Sequence, residues 1–330
     1  MKQIMFCTIL LALIILPEIT LPADKLLGVH SARVMSQSMP WIAQEAGLFR
    51  KYDLDFPLVY IGSSPLATAA MLGGDAELLM DGGLGMVRAY VQGTTDLVLI
   101  GGIKNILTQS ILAKPAVKRL EDLRGKKVGV TRIGSTTHYF AVQAFKRIGM
   151  EAGRDYVMIQ TGGAPEMLAA LVSGAIDAGT MAPPLDVQAI AQGFHYVVYG
   201  PDLRIPQVAV GFITRRASLT RRPQVLGLFM QAMAEAAKIL HTDKEFTFKV
   251  LGKQLRVNDR NVLESAYNAE IKVLEPRLVI KPEALQAILD DVAQVDPRAK
   301  KVKVEELVDN RFLDAMEKSG FFDKLWRDKS

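Results

Sequence analysis

The chain has 330 residues, of which 49% are hydrophobic, 23% charged and 7% aromatic; this balance excludes disordered and fibrous proteins, and at ~100–200 residues per domain the length points to two domains or three. Forty Lys and Arg against 35 Asp and Glu leave a net charge of only +5, and the basic residues are scattered, which argues against a nucleic-acid partner. The single cysteine, Cys7, excludes a disulfide framework, a Cys-ligated metal site and dithiol redox chemistry.

Lys2 precedes an uncharged apolar run over 4–16 that Pro17 and Glu18 end. The run is shorter than the ~20 residues a membrane-spanning helix needs, so 1–23 reads as a secretory signal peptide cut near Ala23, although Leu21 fits the small-residue rule poorly. The mature chain would be soluble, periplasmic and free of thiols. Strands are then predicted over 25–29, 56–61, 76–80 and 97–100, with helices over 40–48, 65–72 and 84–92 between them. A second series follows: strands over 127–131, 156–160, 175–180 and 196–198, and helices over 137–148, 165–171 and 185–192. A strand over 208–214 would return the chain to the first lobe. Beyond 217 the pattern is helical, with Thr220 as a candidate N-cap and further helices over 244–254, 259–271, 282–295 and 304–318. Alternating strands and helices imply α/β lobes built on largely parallel sheets.

The two series echo one another. Gly62-Ser63-Ser64-Pro65 opens a stretch ending at Gly74, and Gly162-Gly163-Ala164-Pro165, one hundred residues on, opens one ending at Gly174. Ala69/Ala169 and Ala70/Ala170 match between them, and an acid follows each final glycine at Glu77 and Asp177. The echo implies two similar lobes: 24–105 with 213–330 as the first, including the helical tail, and 106–212 as the second.

The run Met39-Pro40-Trp41-Ile42-Ala43-Gln44-Glu45-Ala46-Gly47-Leu48-Phe49 resembles the helix after the first strand of the NitT/TauT-type, NMT1/THI5-like solute-binding proteins of ABC importers, the group of SsuA and TauA. Gly74-Asp75-Ala76-Glu77 with Gly82-Gly83, then 120–130 (LEDLRGKKVGV) and Gly174-Ala175-Ile176-Asp177-Ala178 match the same family in order. The resemblance implies a type II periplasmic binding fold, two Rossmann-like lobes joined by a two-strand hinge. It implies a non-catalytic monomer that closes on a small solute, a small organic anion by preference, and delivers it to a permease and its ATPase, with no cofactor and no metal. A sensory module on the same fold is the alternative. An enzyme like the thiamin-pyrimidine synthases would carry a cysteine-rich motif that this chain lacks.

Ligands of open α/β sheets bind beyond the carboxyl ends of the strands. That rule selects Ser36, Gln37 and Ser38, Ser63 and Ser64, and Asp81, Gly82 and Gly83 in the first lobe, and Arg132, Gly134, Ser135, Thr136 and Pro183 in the second. Several of these lead into helix N-termini, which favour anions. Ser135 and Thr136 read equally as ligand donors or ordinary caps. Arg132 is the candidate for a carboxylate or sulfonate, or a surface arginine. Asp81 could receive an amine or cap a helix. Trp41 offers either a stacking face or a core residue, and His30 and His138 lack metal-ligand spacing. Gly101-Gly102 and 208–211 are the candidate hinge strands.

Overall fold

The computed structural model describes residues 23–327, so the signal-peptide reading of 1–23 falls, but for Ala23, outside the described residues. No helix among them is long and apolar enough to cross a membrane. The strands are β1 (Asp24–Lys25), β2 (Gly28–His30), β3 (Leu54–Asp55), β4 (Leu58–Tyr60), β5 (Leu78–Asp81), β6 (Leu97–Ile106), β7 (Ser110–Ala113), β8 (Lys127–Val130), β9 (Val157–Gln160), β10 (Ala178–Met181), β11 (His195–Val198) and β12 (Pro206–Arg215). Apart from the short β1–β3 pair they form two five-stranded sheets, ordered β4-β2-β5-β12-β6 and β9-β8-β10-β7-β11.

The hundred-residue echo reappears as strand register. Gly28 pairs with Leu58 and Leu78, and Val128 pairs with Met158 and Ala178, all in parallel. The helices after β4 and β9, Ser64–Gly73 and Ala164–Ser173, each carry a proline in the first turn, where its missing N–H costs nothing. Each ends on a left-handed glycine, Gly74 at φ 86° and Gly174 at φ 82°, a conformation that a β-carbon makes costly.

The fourth strand of each sheet is antiparallel to its neighbours and arrives from the other lobe. The chain leaves the first sheet along β6 and enters the second as β7, between β10 and β11. It leaves along β11 and re-enters the first sheet as β12, between β5 and β6. The expected crossing at 212–213 falls inside β12, which pairs within the first sheet from Pro206 to Arg215. Strand β7 has no counterpart among the predicted elements.

One face of the first sheet is covered by helix Pro223–Thr242. Phe229 on that helix lies 4.9 Å from Phe56 and 5.4 Å from Phe212, centroid to centroid, and Phe49 joins the cluster at 4.9 Å from Phe56. Helices Gly83–Val91 and Pro282–Val292 cover the other face through Leu84, Val87, Leu285 and Ile288. Trp41 is buried in the first of these cores, as the core reading of its helical spacing requires. Thr220 lies inside helix Arg216–Arg221 and bonds the Arg216 carbonyl, so it caps nothing; Arg222 stands at the N-cap of the following helix. The predicted helix over 304–318 is split into a 3-10 turn, Val304–Leu307, and a helix, Arg311–Lys318.

The tail also touches the second lobe. Gln143 Nε2 donates to Asp291 Oδ1 at 2.9 Å and Lys146 Nζ to Gln294 Oε1 at 2.9 Å, linking helix Thr136–Lys146 to the end of helix Pro282–Val292.

Gly101 and Gly102 sit in the middle of β6 for a reason other than torsional freedom. The tail runs directly over them: Gly102 N–H donates to the Leu278 carbonyl at 2.7 Å, and a β-carbon on Gly102 would lie 2.4 Å from the Val279 carbonyl oxygen. Backbone cannot yield as a flexible side chain does. Gly102→Ala is therefore expected to lose about 1–3 kcal/mol in urea unfolding, the range for overpacking. A variant as stable as the wild type would show that the tail does not fix this strand.

Candidate functional site

A cavity of about 70 Å³ lies between the lobes. From the first lobe it is lined by Ser31 after β2, Ser36 and Gln37 in the 3-10 turn Met35–Gln37, Gly62, Ser63 and Ser64 after β4, and Asp81 at the end of β5. The second lobe contributes Thr131 after β8, Thr136 and Thr137 at the start of helix Thr136–Lys146, Ala164, and Thr180 to Ala182 at the end of β10. Lys104, Gln109, Ala209 and Val210 line it from the crossing strands and their ends. These are the carboxyl ends of the parallel strands of both sheets, where open α/β sheets hold ligands.

A relay of side chains fixes the most buried acid. Ala32 N–H donates to Gln37 Oε1 at 3.0 Å, Gln37 Nε2 donates to Ser31 Oγ at 3.0 Å, and Ser31 Oγ donates to Asp81 Oδ1 at 2.7 Å. Ser64 Oγ donates to the same oxygen at 2.8 Å. Asp81 Oδ2 is buried and accepts from no protein donor among the described residues. Burial pushes the Asp81 carboxyl up to about 6, partly offset by the Ser31 and Ser64 hydroxyls. The N-cap of the helix that follows is Gly82, so Asp81 is not a cap.

Lys104 and Glu270, each with a side chain only 1% exposed, form an ion pair beside the cavity. Lys104 Nζ lies 3.0 Å from both carboxylate oxygens and 2.8 Å from Thr108 Oγ1, and Thr108 in turn donates to Glu270. The pair ties β6 to helix Arg260–Glu270 of the tail. On the second lobe, burial and then the charge of Glu270 push the Asp186 carboxyl up to about 6, against the opposing hydrogen bond from Tyr196 Oη at 3.0 Å.

Of the residues selected from sequence, Ser36, Gln37, Ser63, Ser64, Asp81 and Thr136 line the cavity. Ser38, Gly82, Gly83, Arg132, Gly134, Ser135 and Pro183 do not. Ser38 is buried at the start of helix Met39–Glu45. A β-carbon on Gly82 would lie 2.9 Å from Thr136 Oγ1 and 3.2 Å from the Ala209 carbonyl, so this glycine lets the two lobes approach. Gly83 faces Ile288 and Val208, against the tail helix. Ser135 caps its helix by accepting the His138 N–H at 3.2 Å. The Gly134 carbonyl accepts from Arg88 Nη1 at 3.4 Å. Arg132 follows the lining Thr131 but is not itself in the lining; it is half-buried, with its Nε without a partner among the described residues, and Pro183 is buried next to Ala182, which takes the wall position. His30 packs between Trp41 and Tyr60, and burial lowers it to about 4; His138 is likewise lowered by burial, then by Arg88.

Thr131 and Thr137 bound the loop that the carboxyl-end rule selects in the second lobe, whereas Lys104, Gln109 and Thr180 were not selected. Lys104 had a signal: it is the one charge in the otherwise apolar run 97–106. A lysine inside a buried strand needs a buried partner. The echo also meets itself here, since a β-carbon on Gly62 would lie 3.7 Å from the Gly162 carbonyl.

Two sheets that exchange strands across a cavity between them define the class of two-lobed, type II periplasmic binding folds. This chain belongs to the NMT1/THI5-like family, whose sequence profile matches residues 38–245. A binding protein of Brucella abortus is 24% identical over 278 residues, covering 82% of this chain and 84% of that one. A solved structure from Bordetella bronchiseptica RB50 matches with a TM-score of 0.80 at 20% identity, over 90% of this chain and 98% of the other. The alkanesulfonate-binding protein SsuA from Xanthomonas axonopodis pv. citri, bound to MOPS, matches at 0.73 and 19% identity, over 88% and 99%. The desulfurization enzyme DszB shares the fold at 0.66 and 14% identity, over 90% and 99%.

Two predictions concern the buried charges. Asp81 and Asp186 are raised from the ordinary 3.8 to about 6, so in that window the folded state holds protons the unfolded chain has released. The contribution of Asp81 and Asp186 to stability should therefore fall as pH rises from about 4 to above 6, opposed over the same window by His30, His138 and His241, which burial lowers. Asp81→Asn keeps an acceptor for Ser31 and Ser64 and removes the charge. It should raise stability at pH 7.5 by about 1–3 kcal/mol and by nothing near pH 3.5, read by urea melts at both pH values. Lys104→Met, which strands Glu270, should cost about 3–5 kcal/mol, and adding Glu270→Gln should recover much of it; equal losses in the single and double variants would count against the pair.

Proposed function

We propose that this protein is the extracytoplasmic solute-binding component of an ABC importer. Its lobes close on a small polar organic solute and present it to a permease and its ATPase. One observation carries the reading: a cavity lined by both lobes and by the crossing strands, at the carboxyl ends of both sheets, with a few convergent polar groups in a largely apolar wall. The volume of about 70 Å³ holds roughly five water-sized groups, which suits a small solute rather than a polymer. The name of SsuA and the family of the chain support the same reading. Export by the segment 1–23, and a monomeric state, belong to the proposal. The lobes would be 24–105 with 213–330 and 106–212, adjusted so that β12 stays in the first sheet.

The likeness to DszB favours an enzyme as the second reading. Two of the serines at the cavity, Ser31 and Ser64, donate their hydroxyls to one Asp81 oxygen. A nucleophile needs an adjacent base that takes its proton during attack, and this carboxylate is shared and oriented as an acceptor.

The test is native mass spectrometry of the exported protein for a co-purified solute, followed by small-angle scattering with and without it. Bound solute should reduce the radius of gyration, and the solute should be recovered chemically unchanged. Turnover of the solute, or identical scattering in both states, would refute the importer reading.

A further inference from the structure

The charge of the cavity decides what kind of solute it takes. Four side-chain oxygens lining it are buried and accept no protein hydrogen bond: Asp81 Oδ2, Gln109 Oε1, Ser63 Oγ and Thr180 Oγ1. Every one of them can accept, and the Asp81 oxygen can do nothing else when ionised. No side chain in the lining offers a free positive charge to match them; the guanidinium of Arg132, whose Nε is buried without a partner among the described residues, belongs to the residue after the lining Thr131. Lys104, the one lysine or arginine in the lining, directs its ammonium to Thr108 and to both oxygens of Glu270. Arg132 is outside the lining. Helix Ser64–Gly73 has no side-chain cap, and the Asp81 carboxylate meets its first residue through the Ser64 hydroxyl; Ser135 caps helix Thr136–Lys146. An anionic solute would meet an uncompensated carboxylate in a desolvated space.

On the reading that this cavity binds a solute, we infer that the solute carries an N–H-bearing cation, a protonated amine or guanidinium, and that Asp81 Oδ2 receives it. The relay Gln37–Ser31–Asp81 then has a purpose. It holds Oδ1 with two hydroxyls and leaves Oδ2 without a protein partner, so the carboxylate is held in place before the solute arrives. Ser31 and Gln37 are positioning residues in this scheme. Burial disfavours the empty carboxylate, and a bound cation would relieve that penalty.

The experiment screens the purified mature protein at pH 7.5 by thermal shift and titration calorimetry. The library holds small primary amines and guanidines, carboxylates and sulfonates, and neutral amides and alcohols of matched size. Cations are expected to bind, and Asp81→Asn, a near-isostere expected to fold at least as well as the wild type, to weaken them at least tenfold. Ser31→Ala should weaken them less. Cation binding that Asp81→Asn leaves unchanged overturns the inference, as does anion binding with the same affinity in both proteins; either result keeps the solute-binding reading. Binding by no class in the wild type overturns both.

Discussion

The arrangement rests on an exchange of strands. Neither five-stranded sheet closes over its core without a strand delivered by the other lobe, β7 to the second and β12 to the first. Each incoming strand fills an interior position, with neighbours on both sides. Ladder hydrogen bonds and apolar burial on both faces therefore oppose separation of the lobes, while the connections remain only two strands wide. That combination permits rotation about the crossing and forbids wandering. It also brings the carboxyl ends of two parallel sets to face one another, which is why the loops of the duplicated halves meet at Gly62 and Gly162.

At the crossing the chain buries charge. Lys104 and Glu270 satisfy one another and Thr108, so their position next to the cavity adds no net charge to it. Asp81 is different. Its hydroxyl partners bind one oxygen and leave the other, and burial holds its carboxyl near neutral pH rather than in the ordinary range. Such a group lowers the stability of the empty protein. Proteins retain local penalties of this kind where function uses them.

Most of the architecture could be read from the amino acids. The echo of Gly62, Pro65 and Gly74 with Gly162, Pro165 and Gly174 follows from local physics: a proline tolerated at a helix start and a glycine required in a left-handed end. Such constraints leave a mark on one residue at a time. β7 left no mark, because it stands outside the repeated strand–helix series and arrives in the second sheet from the other lobe. The cavity was half legible. The switch-point rule found the loops, and Ser36, Gln37, Ser63, Ser64, Asp81 and Thr136 follow from it. It could not tell which loop residues turn inward. Gly82 and Gly83 are set by how closely other backbone and side chains approach, and Arg132 by the path of its loop; these are tertiary facts. Why Gly101 and Gly102 must be glycines was not legible either, since the segment that presses on them lies far along the chain.

The tail has a kinetic side. Helix Pro282–Val292 packs on the first sheet, yet Asp291 and Gln294 at its end hold Gln143 and Lys146 of the second lobe. A bridge of this sort outside the cavity biases the population toward approached lobes before any solute arrives. The fraction of competent molecules divides the intrinsic dissociation constant, so the bias tightens apparent affinity without a new contact to the solute. The same bridge must part each time the lobes separate. On the proposed importer reading, residence time would lengthen with it, and surface contacts at a distance from the bound molecule would enter the rate at which one solute is exchanged for the next.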